Sequence, residues 1–338
     1  MSMITLEANR LVFRFPEVHE EAILAVEFQR TLRIPDDGRK WPLPPGLGRF
    51  PLRHLEDYEP KLPEAWRRRG GVILPMYRAE ALWLHFRTAG ERAFPRTGYP
   101  FAIKIAAGRI NAVTGEPWTD SLNRDPQDYL VAPDQPWLDG FCVEKGVVRQ
   151  FVAMPAGEGW SVEEQITGEA EWGGIQILVH PMKREHYVAL RRPEPFPTMA
   201  CACPADMGLA AGGRMRQEIY EDPHPFDAWD LRHRARCFVT LVEAGHWFAL
   251  TGELPPTPPP SAKDYAEAGL PWFDWYDADR RALEGAARLA GLESLGELAK
   301  AKGEAFEEED LDPESLWTVP LGPARRGRSR RVREPEAL

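Results

Sequence analysis

Apolar and polar side chains alternate at every second position through long parts of the first 250 residues. Residues 11–15 and 25–34 show the pattern most clearly. Because successive side chains of an extended chain point to opposite faces, this period of two predicts strands with one buried and one exposed face. Turn-forming Pro, Asp and Gly follow at 35–38, and similar turns separate the later segments at the spacing typical of β-sandwiches and barrels.

Further strands are predicted wherever short apolar or alternating runs recur between such turns. They lie at residues 72–77, 81–86, 101–107, 109–114, 129–131, 141–143, 147–154, 161–167 and 174–179. Gly108 joins two of them, which favours a hairpin there. Residues 81–86 and 236–242 are also compatible with a helical turn, because short apolar runs do not distinguish the two structures.

The pattern therefore predicts a mainly β fold, with a sandwich-like antiparallel body over residues 1–250. An internal boundary is expected near 193–213. Clear periodicity is lost from residue 193 onwards, and residues 208–213 are small and read as flexible.

The chain changes character after the β body. A proline run predicts a stiff spacer over residues 251–262. Good helix formers with Gly stops predict a helical extension over 263–303, with helices at 277–289 and 294–302. Residues 304–338 are strongly charged and are expected to form a disordered or extended tail.

Composition narrows the classes of function. The 338 residues are 43% hydrophobic and 28% charged, as in ordinary globular proteins, while 12 Trp and 33 Pro favour shaped, ordered loops. The net charge of -10 argues against a general nucleic-acid surface. One dense basic run follows an acidic run from Glu304 to Glu314, and it contains Arg325, Arg326, Arg328, Arg330, Arg331 and Arg333. This tail either binds nucleic acid or an anionic surface, or is solvated and paired internally.

The same sequence indicates a cytoplasmic address. Residues 1–7 lack the basic and apolar regions of a secretory signal. No stretch reaches the ~18 apolar residues that a membrane-spanning helix needs. Four cysteines are too few for a disulfide scaffold in so long a chain, which fits reduced thiols.

The segment 218–233 holds the densest mixture of carboxylates and imidazoles. Its candidate acid–base residues are Glu218, His224, Asp227, Asp230 and His233. Asp230 and His233 would be adjacent on a helical turn, so the carboxylate could orient the imidazole for hydrolysis. No Gly-x-Ser-x-Gly nucleophile motif accompanies them, and capping of turns by Asp227 or Asp230 is the alternative role.

Two smaller constellations are candidate binding sites. Trp137 lies between Asp134 and Asp139 in a turn-rich stretch, a combination that can recognise a sugar or peptide; the alternative is that Trp137 fills the core. Cys201 and Cys203 are a close thiol pair, yet no second pair completes a zinc site. The Gly-rich segments match no phosphate-binding motif, so no cofactor is predicted.

Several longer strings resemble an uncharacterised family. They lie at residues 31–38, 129–140, 148–155, 208–215 and 269–274, and the resemblance extends over most of residues 25–280. Members of that family occur in bacteria and filamentous fungi and are sometimes labelled integral membrane proteins. The resemblance implies no activity and no catalytic residues, and the hydropathy of this chain contradicts the membrane label.

The sequence as a whole favours a non-enzymatic structural or interaction protein that associates with itself. Many strands have edges that must be paired or covered, and a catalytic signature is missing. The first alternative is a hydrolase or small-ligand-binding protein using the 218–233 segment. The second is binding of nucleic acid or an anionic surface through the arginine-rich tail.

Overall fold

The computed structural model describes residues 3–89, 98–190, 207–275, 280–304 and 311–321. It is 37% strand and 19% helix, so the mainly β prediction is confirmed. Most strand pairs are antiparallel. Parallel pairing occurs between three pairs of strands that are far apart in the sequence.

The larger sheet has ten strands. They are β1 (Met3–Leu6), β2 (Arg10–Arg14), β3 (Ile23–Thr31), β4 (Lys40–Trp41), β5 (Gly46–Arg49), β8 (Ala81–Thr88), β12 (Trp137–Leu138), β13 (Gly140–Glu144), β14 (Val147–Met154) and β16 (Gly208–Arg216). Its main path runs β1-β2-β3-β8-β14-β16-β4. β1 therefore lies at one edge of this path.

The smaller sheet has seven strands. They are β6 (Arg53–His54), β7 (Val72–Met76), β9 (Phe101–Ala107), β10 (Ile110–Asn111), β11 (Leu130–Ala132), β15 (Ile175–Pro181) and β17 (Ala235–Glu243). Its path runs β10-β9-β15-β17-β7-β6, and β9 with β10 is the hairpin expected at Gly108. The short strands β18 (Trp272–Asp274) and β19 (Thr318–Pro320) form a separate parallel pair.

Side chains from the two sheets share one hydrophobic core. Val26 and Phe86 of the larger sheet belong to the same buried cluster as Ile105 and Ile177 of the smaller one, and each is at most 1% exposed. Because each sheet buries one face against the other, the arrangement is that of a sandwich.

Short helices connect or cover the strands. They are α1 (Glu64–Arg69), α2 (Val162–Thr167), α3 (Arg184–Leu190), α4 (Ala244–Thr251), α5 (Ala262–Glu267), α6 (Ala287–Ala290) and α7 (Leu295–Lys302). Two 3₁₀ turns lie at Leu55–Lys61 and Phe226–Ala228.

The strand predicted at residues 161–167 is wrong, because α2 occupies it. The Ser161 hydroxyl accepts a hydrogen bond from the Glu164 amide, and the Glu164 carboxylate accepts one from the Ser161 amide. This capping box satisfies amides that the first helical turn leaves without partners. The Ser-x-x-Glu spacing therefore outweighed the alternating pattern.

The prediction that residues 208–213 form a flexible segment is also wrong. These residues belong to β16, which pairs with β14 on one side and β4 on the other. A Cβ on Gly212 would lie 2.4 Å from Val152 Cγ2, and one on Gly213 would lie 2.5 Å from the Pro35 carbonyl oxygen. Small residues occur here because the neighbours approach closely.

The C-terminal region is more integrated than a helical extension and a disordered tail. The extension contains α6 and α7 and also the strand β18. A helix was predicted at 277–289, but within the described part of that range the chain is helical only from Ala287. Trp272 and Leu289 are fully buried in the shared core. Within the tail, which was expected to be disordered or extended, residues 318–320 form the extended strand β19.

Candidate functional site

The face of the smaller sheet opposite the core carries polar and aromatic side chains. Ile105, Ile177 and Cys237 point into the core, so their neighbours along β9, β15 and β17 point to the other face. The register places Gln176 beside Phe238 on one side and Ala106 on the other.

An open cleft of about 370 Å³ lies over this row of side chains. We name it the arginine–tryptophan cleft. It is lined by Arg69, Arg109, Trp118, Asp120, Trp172, Gln176, Ile177, Arg236, Cys237 and Phe238. Three arginines and one aspartate are the charged residues in this set, so the lining is cationic in a chain whose net charge is -10.

Arg109 occupies the turn between β9 and β10. Its backbone has a φ of 60°, and its amide donates a 2.6 Å hydrogen bond to Gln176 Oε1. The guanidinium lies 4.5 Å from the centroid of the Trp172 ring. No residue in the described ranges accepts a hydrogen bond from this guanidinium, so its donors remain available to a ligand.

Glu163 of α2 holds the loop that presents Trp172. Its carboxylate accepts the backbone amides of Glu171, Trp172 and Gly173 at 3.1, 2.8 and 2.7 Å. Burial raises the pKa of Glu163, and these amide hydrogen bonds oppose the rise. A Cβ on Gly108 would lie 2.5 Å from the Glu163 side chain, so the β9–β10 turn sits directly against α2.

Arg69, the last residue of α1, closes another side of the cleft. Its guanidinium lies 5.4 Å from the Trp172 ring centroid and 5.3 Å from that of Phe238. It donates hydrogen bonds to the carbonyl oxygens of Trp172, at 2.6 Å, and of Glu171. No described carboxylate forms an ion pair with it. Arg69 therefore fixes the loop, and its positive charge also acts on the nearby Glu163 carboxylate, whose pKa it lowers.

Arg236 is the arginine of the cleft that has an acidic partner. It forms an ion pair with Asp120, whose other oxygen accepts a 2.9 Å hydrogen bond from Trp118 Nε1. Burial raises the pKa of Asp120, but the hydrogen bonds from Arg236 and Trp118 outweigh it and hold that pKa below its usual value. Below Trp118, the buried Lys104 is neutralised by Asp128 at 2.6 Å.

This arrangement is suited to binding an anion. A guanidinium stacked on an aromatic ring keeps its in-plane N–H groups free to engage a phosphate or carboxylate. The described lining includes no serine or histidine, and burial raises the pKa of the Cys237 thiol to about 12, which removes it as a nucleophile at neutral pH.

Asp230 and His233 do come together in the structure. His233 Nδ1 lies 2.8 Å from Asp230 Oδ2, and Asp230 Oδ1 accepts the amides of Arg232 and His233. The residues lie on a bend, not on a helical turn. Asp230 thus combines the two roles weighed from the sequence, since it caps a turn and orients an imidazole. The other neighbour of the His233 ring is Glu17, at 3.8 Å.

The remaining candidates of the 218–233 segment have different surroundings. His224 Nε2 lies 3.8 Å from Asp134, and burial lowers the pKa of His224. Asp227 is exposed in a 3₁₀ turn. Glu218 borders a different cleft, which Trp275 also lines. No shared acid–base centre emerges from these contacts.

The three residues of the ligand site expected at residues 134–139 have different contacts and different burial. Asp134 binds Arg280, and Trp137 packs 5.1 Å from the Trp275 ring centroid. Asp139 is only 4% exposed and accepts a 2.6 Å hydrogen bond from Gln217.

The metal candidates Cys201 and Cys203 lie outside the described residues, as do the arginines at 325–333. Within the described ranges, no group of three or more His, Cys, Asp or Glu side chains could hold a metal ion.

Sequence reasoning missed the arginine–tryptophan cleft. Arg69, Arg109 and Arg236 come from three distant parts of the chain, and no local motif links them. The nearest local signal is Trp172 in the Gly-rich segment 168–174, together with the Ser161–Glu164 capping box.

The chain matches no protein-family model, no curated protein and no solved structure. The resemblance to an uncharacterised family therefore stays a prediction. None of the helices in the described ranges combines the length and the hydropathy that a membrane crossing requires.

Proposed function

We propose that the protein binds a small anionic ligand in the arginine–tryptophan cleft. The observation that carries the proposal is the Arg109 guanidinium, which is stacked on Trp172 and donates no hydrogen bond to a described residue. Arg69 adds a second positive charge, and no ion pair with a described carboxylate is formed by it. Two such charges beside one opening favour a phosphate or carboxylate group.

The aromatic residues that line the cleft indicate that the ligand also has an apolar part. Trp118, Trp172 and Phe238 supply flat apolar surface around the charged groups. A ligand that is purely ionic, such as inorganic phosphate, would gain nothing from this apolar surface. An organic anion with a flat apolar part would use both features, because aromatic contact and charge-assisted hydrogen bonding contribute separately to affinity.

The experiment compares three anions on the full chain by isothermal titration calorimetry: inorganic phosphate, adenosine monophosphate and benzoate. We expect the organic anions to bind more tightly than phosphate. Arg109→Ala should weaken their binding by roughly 10- to 100-fold, the loss of a charge-assisted hydrogen bond. Arg109→Lys should recover only part, because lysine lacks the planar fork.

Arg67→Ala is the matched control, since Arg67 is exposed on α1 and does not line the cleft. It should leave affinity unchanged. Equal affinities of the native protein and Arg109→Ala, or no binding of any of the three anions at millimolar concentration, would refute the proposal.

We also propose that the protein associates with itself, as the number of strands predicts. β1 ends the main path of the larger sheet and pairs with β2 alone among the described strands. Met3, on this edge, is 50% exposed. Such an edge offers backbone groups and apolar surface to a second copy. The roles of the 218–233 segment in hydrolysis and of the arginine-rich tail in nucleic-acid binding stay predictions.

A further inference from the structure

The segment 254–260 joins α4 to α5 at the surface and reads Leu-Pro-Pro-Thr-Pro-Pro-Pro. Five prolines in seven residues favour polyproline II conformation, which has three residues per turn, because each proline fixes its own φ. Both ends are fixed. Gly252 ends α4 in the left-handed region at a φ of 78°, and Ser261 begins α5 with a capping box.

The body of the protein binds the segment from one side. Tyr77 Oη donates a 2.8 Å hydrogen bond to the Pro256 carbonyl oxygen, and Arg30 Nη2 donates one of 2.7 Å to that of Thr257. Arg30 is itself buried and donates to Glu80 from Nε at 2.7 Å. A buried ion pair thus fixes one donor, and the segment is held in one conformation before any partner arrives.

The other side of the segment faces solvent. Leu254 is 82% exposed, the highest value among the large hydrophobic residues of the described ranges. Thr257 and Pro258 are exposed as well, whereas Pro255 is partly buried. Because the conformation repeats every three residues, Leu254 and Thr257 lie along one ridge, and the two prolines that follow them lie along the next.

We propose that residues 254–258 form a docking site for a protein domain that recognises polyproline II segments. Such domains receive pairs of a residue and a following proline in grooves between aromatic side chains. Leu254-Pro255 and Thr257-Pro258 are two such pairs, one turn apart. Leu254, Thr257 and Pro258 are exposed, whereas Pro255, Pro256 and Pro259 are partly buried. The fixed conformation favours binding, because little conformational entropy is lost on association.

This inference is independent of the anion-binding cleft, whose lining residues are different. The test immobilises a panel of purified SH3, WW and EVH1 domains and measures binding of the full chain by biolayer interferometry. We expect at least one domain to bind. Pro258→Ala should weaken that binding by about tenfold or more, because it removes a proline from the contact surface.

Pro259→Ala is the matched control, since Pro259 is the next proline along the chain and is partly buried, whereas Pro258 is exposed. It should change affinity by less than about twofold. Tyr77→Phe, which removes the hydrogen bond to the Pro256 carbonyl, should weaken binding a few-fold by loosening the segment. Unchanged thermal unfolding of each variant shows that the fold is intact.

Two outcomes would overturn the inference. One is that no domain of the panel binds, or that Pro258→Ala and Pro259→Ala behave alike. The other is that Pro258→Ala dissociates an oligomer of the protein, because the segment would then dock on a second copy of this chain.

Discussion

The carboxyl group of Asp139 is held inside the protein with one hydrogen-bond donor, the side-chain amide of Gln217. Burial raises the pKa of Asp139 to about 7. Between about pH 4 and pH 7 the folded protein keeps a proton that the unfolded chain has released. The free energy of unfolding therefore falls as pH rises through this window, and the loss is complete above pH 7.

Asp139→Asn should remove this loss, because an amide carries no charge at any pH. The variant is expected to gain up to about 4 kcal/mol over the native protein at pH 9, and the gain should shrink toward zero near pH 4. Urea unfolding at pH 5, 7 and 9 measures the difference. Asp227→Asn changes an exposed aspartate and is the control. A native-like pH dependence in Asp139→Asn would contradict the burial argument.

Asp139 and Arg109 show which features of a residue's surroundings can be predicted from the sequence and which cannot. The sequence placed Asp139 in a turn-rich stretch, whereas it lies between β12 and β13, and it could not show that Gln217 and the surrounding core enclose it. Arg109 follows a glycine in a predicted hairpin, so its position in the turn could be predicted. Its contact with Trp172 depends on a loop more than 60 residues away, and only the fold creates it.

The helix α2 and the loop after it act together in forming the cleft. Glu163→Ala removes the acceptor for the amides of Glu171, Trp172 and Gly173. Partly buried amides without acceptors cost about 1–3 kcal/mol, and the loop can avoid part of that cost by opening to water. We expect faster hydrogen exchange at residues 171–173 and weaker binding of the organic anion, although Glu163 does not line the cleft.

Glu169→Ala serves as the comparison, since Glu169 is exposed in the same loop. Its exchange rates and affinity should match those of the native protein. If Glu163→Ala left exchange at residues 171–173 unchanged, the loop would be held by other contacts, and the assignment of Glu163 as its support would be wrong.

Strands were predicted better than helices along this chain. A period of two is a local property, so the β9–β10 hairpin and the strand positions at 101–107 and 147–154 could be found without tertiary information. The segment 161–167 shows the limit of prediction from periodicity. An alternating pattern and a capping box occur there together, and the capping box determined that the segment is helical. The small residues at 208–213 show a second limit. The close approach of Val152 and Pro35 to the glycines of this segment depends on the tertiary structure and cannot be predicted from the local sequence.

Strand pairing across the whole molecule could not be predicted. β7 lies parallel to β17, far along the chain, and this pairing brings α1 with Arg69 close to Phe238. Parallel neighbours require long connections and leave no turn signal in the sequence. The mainly β class and the sandwich followed from the alternating pattern, whereas the cleft arises from the order of strands within the smaller sheet.

Self-association is the property of the whole molecule that the edge strand β1 makes testable. A second copy could add its own β1 to this edge, since β1 pairs with β2 alone among the described strands and Met3 is half exposed. Natural proteins block such edges with lysine, so Met3→Lys should raise the dissociation constant of an oligomer by about tenfold or more, while Met3→Leu should not. Mass photometry and light scattering across micromolar concentrations measure the dissociation constant.

A native protein that stays monomeric throughout that range would exclude association. An oligomer that tolerates Met3→Lys would place the contact elsewhere, because an ammonium group at a paired edge must either lose its hydration or separate the strands.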